Sequence, residues 1–165
     1  MKAPRRVALV LVTLATCVGC DQKTKSLAGD HLRGRDAVSF LADTVRLDYA
    51  ENPGAFLSLG ASLPDKWRTA AFTIGAAAGL AAVLLYAMLN SQSGLAQVFA
   101  LSMICGGGLG NIIDRLIYGG YVRDFLNVGV GPVRTGIFNI ADVALMAGCL
   151  LLVVQELRAV TQRQP

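Results

Sequence analysis

Four long apolar segments dominate this chain and restrict it to folds that suit a lipid bilayer. Three of them, Thr69–Leu89, Leu95–Ile113 and Ile137–Val154, contain Asp142 as their only charged residue. A helix needs about 20 apolar residues to cross the hydrocarbon core, so each segment is long enough to span it. The fourth segment, Val7–Gly29, is apolar over most of its length. The chain as a whole is 54% hydrophobic and 16% charged, whereas soluble domains carry about 25% charged residues.

The first apolar segment has two possible interpretations. Basic residues precede it, and Gly19-Cys20 resembles the cleavage site of a lipoprotein signal peptide, which would make this protein a secreted lipoprotein. Against this, Cys17 stands where such signals usually have Leu. Three further segments of spanning length also follow, so we favour a first span that is retained.

The sequence therefore predicts an all-α membrane protein with four transmembrane helices, forming a single polytopic domain over residues 1–165. The spans are predicted at about 7–29, 69–89, 95–117 and 137–157, with outer segments at about 30–68 and 118–136. The basic residues of Met1–Arg6 put both termini in the cytoplasm by the positive-inside rule. Gly75/Gly79 and Gly106/Gly110 have the spacing that allows close helix packing.

The first outer segment has the pattern of short strands. Val38–Leu41 and Thr44–Tyr49 are rich in alternating or β-branched residues, and Asn52-Pro-Gly is typical of a turn. We expect a small periplasmic β-sheet between spans one and two, lying on the outer membrane surface.

Composition also excludes several functions. The net charge is +4, but the basic residues do not cluster with aromatic residues as they do in nucleic-acid-binding proteins. Cys17 and Cys20 form a C-x-x-C pair in apolar surroundings, and His31 is the only histidine. The sequence thus predicts no metal site and no cofactor.

Polar residues collect at the predicted outer ends of spans three and four. Ionisable groups inside a membrane are costly and are usually functional. The group comprises Asn111, Asp114, Arg115, Asp124, Asn139 and Asp142. Two nearby carboxylates cannot both ionise easily, so one can act as an acid and the other as a base in hydrolysis. Structural ion pairs, or a small transporter that carries protons, remain alternatives, and spacing does not choose between Asp114 and Asp124 as the partner of Asp142.

The same residues lie in four ordered blocks that resemble the lipoprotein signal peptidase (signal peptidase II) family. Asp21–Lys25 resembles its D-x-x-[ST]-K block, although Lys23 stands where the family usually has an apolar residue. Asn52–Phe56 is similar to N-x-G-A-F. Gly110–Arg115, with the later Val122–Phe125, resembles G-N-x-x-D-R and V-x-D-F, and the last block resembles F-N-x-A-D.

The resemblance implies an aspartyl endopeptidase with Asp124 and Asp142 as its catalytic dyad. The implied substrate is a prolipoprotein whose Cys carries diacylglycerol, cut just before that Cys. Site-shaping or substrate-contacting roles are implied for Asp21, Lys25, Asn52, Gly54, Asn111, Asp114, Arg115 and Asn139. We expect a monomer in the bacterial cytoplasmic (inner) membrane, in contact with lipid, with its active site near the periplasmic face.

Overall fold

A computed structural model describes residues 3–53 and 64–162 of the protein. The helices are α1 (Ala3–Leu32), α2 (Asp65–Leu89), α3 (Leu95–Ile117) and α4 (Ile140–Thr161). The strands are β1 (Val38–Phe40), β2 (Val45–Asn52), β3 (Val122–Val130) and β4 (Val133–Arg134).

All four helices are long and apolar enough to cross a membrane, which confirms the predicted fold class. Helix α3 is the centre of the bundle, since it packs against α1, α2 and α4. Half of its most apolar stretch is buried, whereas the other three helices expose most of theirs. The exposed apolar side chains are the surface that lipid covers.

Three helices differ from the predicted spans at their ends, and α2 is one of them because it begins at Asp65 rather than at about residue 69. Helix α1 runs from Ala3 to Leu32, beyond both ends of the predicted span of about 7–29. Within it, Asp21 and Lys25 form a fully buried ion pair of 2.8 Å. Helix α4 begins at Ile140 rather than near residue 137, because Asn139 is its N-cap. Asp142 therefore lies in the first turn of α4, only about 3 Å along its axis.

The strands form one antiparallel sheet in the order β1-β2-β3-β4. Strands β1 and β2 lie in the first outer segment, as predicted. Strands β3 and β4 come from the second outer segment, for which no strand was predicted. The pairing of β2 with β3 brings Asn52 opposite Val122 and Ala50 opposite Asp124, with a register shift between Leu47 and Ala50.

Close packing around α3 depends on glycine. A Cβ on Gly106 would lie 2.6 Å from the Cβ of Cys17, and one on Gly110 would lie 2.6 Å from Oδ2 of Asp21. These two glycines let α1 approach α3, as their spacing predicted. The same prediction was wrong for Gly75 and Gly79, where an added Cβ would meet nothing within 4 Å.

The bundle end opposite the sheet is closed by Arg6. This buried side chain donates hydrogen bonds from Nη1 to the carbonyl oxygens of Met88 (3.1 Å) and Asn90 (2.7 Å), and from Nη2 to that of Ser93 (3.2 Å). It satisfies carbonyl groups at the end of α2, which have no partner within the helix. The start of α1 is thus fixed to the turn between α2 and α3.

Candidate active site

Asp124 lies in β3 and is 2% exposed. Its Oδ2 accepts a hydrogen bond from Nδ2 of Asn52 (3.0 Å), and its Oδ1 accepts one from Nδ2 of Asn139 (2.6 Å). Burial raises the pKa of Asp124 to about 6, and the charge of Asp142 acts in the same direction. The two amide hydrogen bonds oppose this rise but do not cancel it.

Asp142 faces the same polar centre from the first turn of α4 and is partly exposed. Its Oδ1 accepts a hydrogen bond from Nδ2 of Asn111 (2.8 Å), and its Oδ2 accepts one from the backbone N–H of Asn139 (3.1 Å). The second bond belongs to a capping box at the start of α4. The same bonds that begin the helix therefore also orient the Asp142 carboxylate.

Asn139 joins the two carboxylates. It is fully buried, and its Oδ1 accepts a hydrogen bond from the backbone N–H of Asp142 (3.0 Å). Its Nδ2 donates both to Asp124 and to Oδ1 of Asn111 (3.1 Å). Nζ of Lys25 donates to the same Asn111 oxygen (2.8 Å), which leaves the Asn111 amide nitrogen directed at Asp142.

A neutral cluster of buried charges supports this centre from the α1 side. Lys25 pairs with Asp21 at 2.8 Å and lies 3.6 Å from Asp114, and all three side chains are fully buried. Arg123 pairs with Asp114 at 2.9 Å. Oδ1 of Asp21 accepts a hydrogen bond from the backbone N–H of Ala141 (2.9 Å), so the cluster is connected to α4. Buried charges persist only when they are paired and hydrogen-bonded in this way.

Two predicted site residues, Arg115 and Gly54, remain to be placed. Arg115 is partly exposed and interacts electrostatically with both Asp124 and Asp142. Within the described ranges, its side chain makes no direct ion pair or hydrogen bond. Gly54 lies outside the described residues, so its predicted role stays a prediction.

Two residues of this region were missed from the sequence. Nε2 of Gln22 donates to Oδ1 of Asp114 (3.0 Å) and to the carbonyl oxygen of Gly110 (3.1 Å). Arg123 contacts Asp114 through both its side chain and its backbone N–H. The only available signal was that each residue directly follows or precedes a predicted site aspartate in the chain.

The fold and this polar centre define a multi-pass membrane protein with two amide-held carboxylates at one end of its helical bundle. The family model described as signal peptidase (SPase) II matches residues 13–158. The chain therefore belongs to the signal peptidase II family and is a peptidase. The lipoprotein and transporter alternatives are set aside on this finding.

Individual relatives agree with the family. The chain is 32% identical to a lipoprotein signal peptidase of Syntrophus aciditrophicus (strain SB) over 158 residues, which is 96% of each chain. It is 46% identical to one from Burkholderia ambifaria (strain MC40-6) over 101 residues, 60% of this chain and 58% of that relative.

Solved structures show the same fold. A bacterial membrane enzyme structure obtained by the in meso method at 2.3 Å resolution has a TM-score of 0.83 and 25% identity, covering 96% of this chain and 93% of that one. A second, at 1.9 Å resolution, has a TM-score of 0.80 and 26% identity, covering 92% and 94%.

Proposed function

We propose that this peptidase is an aspartyl endopeptidase that removes the signal peptide from diacylglyceryl-modified prolipoproteins, cutting just before the lipidated Cys. Asp124 and Asp142 form its catalytic dyad. The observation that carries the proposal is the shared contact with Asn139, whose side-chain amide binds Asp124 and whose backbone N–H binds Asp142. Two carboxylates held to one residue interact, since the charge of Asp142 helps to raise the pKa of Asp124, and such a pair can divide the acid and base roles of hydrolysis.

The two environments assign the roles. Asp124 is the more buried, and burial raises its pKa to about 6, so we assign it the role of general acid. Asp142 is more exposed, with access to water, and we assign it the role of general base.

The reaction then follows from these roles. Asp142 takes a proton from water as the water oxygen attacks the scissile carbonyl carbon, and Asp124 gives its proton to the carbonyl oxygen. The tetrahedral intermediate collapses as its hydroxyl returns a proton to Asp124. Asp142 delivers its proton to the departing nitrogen, and the C–N bond breaks. The products are the signal peptide with a new carboxylate and the lipoprotein with a free amino group on its Cys.

Nearby residues complete the proposal. The guanidinium of Arg115 has N–H donors that suit substrate carbonyl oxygens next to the scissile bond. Asn52 holds Asp124 from β2, so the sheet contributes to the site. Asp114 is engaged by Gln22 and Arg123, which supports a structural role for it rather than a catalytic one.

The site suits a substrate anchored in the membrane. Asp142 lies in the first turn of α4, so water can reach it while a lipid-linked Cys remains in the adjacent leaflet. The basic N-terminal segment supports cytoplasmic termini, which puts the site at the periplasmic side of the inner membrane. We propose that the protein acts as a monomer, without cofactor.

The test is cleavage of a purified diacylglyceryl-prolipoprotein in detergent micelles. Wild type should cut before the lipidated Cys, as read by mass spectrometry of both products. Asp124→Asn and Asp142→Asn should lose cleavage, whereas Asp36→Asn, a change at an exposed aspartate, should keep it. Normal cleavage by either dyad variant would exclude that residue from catalysis.

A further inference from the structure

Arg123 occupies the unspecified position of the V-x-D-F block, directly before Asp124. Successive residues of a strand point to opposite faces, so Arg123 faces away from the side of β3 that carries the Asp124 carboxylate. A charged residue at such a position would ordinarily be solvated. Arg123 is instead only 8% exposed.

Asp114 holds Arg123 at three points. Its Oδ2 accepts hydrogen bonds from the backbone N–H (2.9 Å) and Nε (3.2 Å) of Arg123, and its Oδ1 accepts one from Nη2 (2.9 Å). The Tyr118 ring lies 4.3 Å from the guanidinium carbon. The backbone contact fixes the peptide unit itself, so the position of the next residue, Asp124, is restricted.

Helix α3 thereby carries an anchor for each member of the dyad. Asn111 holds Asp142 at 2.8 Å, and Asp114, three residues later on the same helix, holds Arg123. Residues three apart lie on neighbouring positions of one helix face. The separation of the two dyad carboxylates thus depends on two adjacent contacts to α3.

We propose that Arg123 is a positioning residue of the active site, which acts through Asp114 to hold Asp124 at its working distance from Asp142. This inference rests on the proposed function, because it presumes that Asp124 is catalytic. Arg123 does not touch the reacting atoms. Its guanidinium also balances the charge of Asp114, so its loss leaves an extra buried negative charge near the dyad.

The test compares Arg123→Gln, Arg123→Lys, Asp124→Asn and wild type on the lipidated substrate in micelles. Arg46→Gln is the matched control, because Arg46 also pairs with an aspartate of the sheet region but is 39% exposed. We expect Arg123→Gln to lower kcat by about 10- to 100-fold with KM within about twofold of wild type, since a misplacement of about 1 Å costs this much. Arg123→Lys should recover part of the loss, and Arg46→Gln should match wild type.

A merely structural role predicts a different result. In that case the folded fraction and the melting temperature fall while the kcat of the folded protein stays at the wild-type value. That outcome, or an effect on KM alone, would overturn the inference. If Arg123→Gln does not fold, Arg123→Lys decides instead: a reduced kcat at unchanged KM supports positioning, and a wild-type kcat refutes it. An active Asp124→Asn would instead refute the proposed function itself.

Discussion

Asn139 donates a 2.6 Å hydrogen bond to Asp124 from the N-cap position of the helix that carries Asp142. One side chain therefore serves both the start of α4 and the dyad. Serine also caps helices but is too short to bridge to Asp124. Asn139→Ser should therefore lose less stability than Asn139→Ala, because it keeps the cap, and should lose about 100-fold in kcat. Asn139→Ala should lose about the same activity together with about 1 kcal/mol or more of stability. Equal activity of Asn139→Ser and wild type would contradict the bridging role.

Asp124 should make the stability of the protein depend on pH. Its folded-state pKa is about 6, above the value near 4 of an unfolded aspartate. The protonated Asp124 carboxyl therefore favours the folded state. Its contribution to the free energy of unfolding is complete below about pH 4 and is lost as the pH rises to about 6. The shift corresponds to about 3 kcal/mol. Thermal unfolding in micelles should show wild type losing stability relative to Asp124→Asn between pH 4 and pH 6, and no further above it. A pH-independent difference between the two would contradict the raised pKa.

Lys25 should be needed for stability because its positive charge neutralises the negative charge of buried carboxylates. It pairs with Asp21 and also holds Asn111, which contacts Asp142. Lys25→Met should cost about 3–5 kcal/mol, the usual effect of removing one partner of a buried ion pair. Adding Asp21→Asn should restore part of the stability, since it removes the uncompensated charge, but not the activity. Thermal unfolding and cleavage of the same samples separate the two effects, and a double variant no more stable than Lys25→Met would refute the pairing.

Arg6 should affect stability without affecting chemistry. Its three hydrogen bonds lie at the bundle end opposite the sheet, away from both dyad residues. Arg6→Ala leaves buried carbonyl groups without a partner and should destabilise the protein by about 1–3 kcal/mol. The exposed neighbour Arg5 provides the control, because Arg5→Ala removes a similar charge without these bonds. A lowered kcat in the folded fraction of Arg6→Ala would mean that the two ends of the bundle are coupled.

The helices were predictable because a spanning segment is apolar over about 20 residues, as in Thr69–Leu89, which carries no charge. Strand β3 was not predictable from the sequence. Arg123, Asp124 and Phe125 are all buried, so polar and apolar residues do not alternate between a solvent-facing and a core-facing side. The first outer segment kept a more ordinary strand pattern, and β2 was recognised from it.

The candidate site was predictable only in part, for a related reason. Asn139 and Asp142 lie three apart on one helix, so local spacing brings them together. Arg123 and Gln22 meet across 101 positions of sequence, at a Nη2–Oε1 distance of 3.2 Å. Contacts of this kind follow from how the helices pack, which local patterns do not specify. Gly75 and Gly79 show the opposite case. They have the spacing that allows close helix packing, but none of the helices that the structure describes lies against them.

The sheet also orders events during synthesis. Asn52 is on β2, Asp124 is on β3 and Asp142 is on the last helix, so the ribosome delivers the three parts of the site one after another. Strands β1 and β2 can pair with each other first, but β2 gains β3 only later. The proposed dyad is complete only when α4 has been inserted. On the proposed function, a nascent chain without α4 lacks Asp142 and cannot cleave neighbouring signal peptides. With Asp124 and Asp142 as the proposed dyad, proteolytic activity begins only after the last helix has entered the membrane.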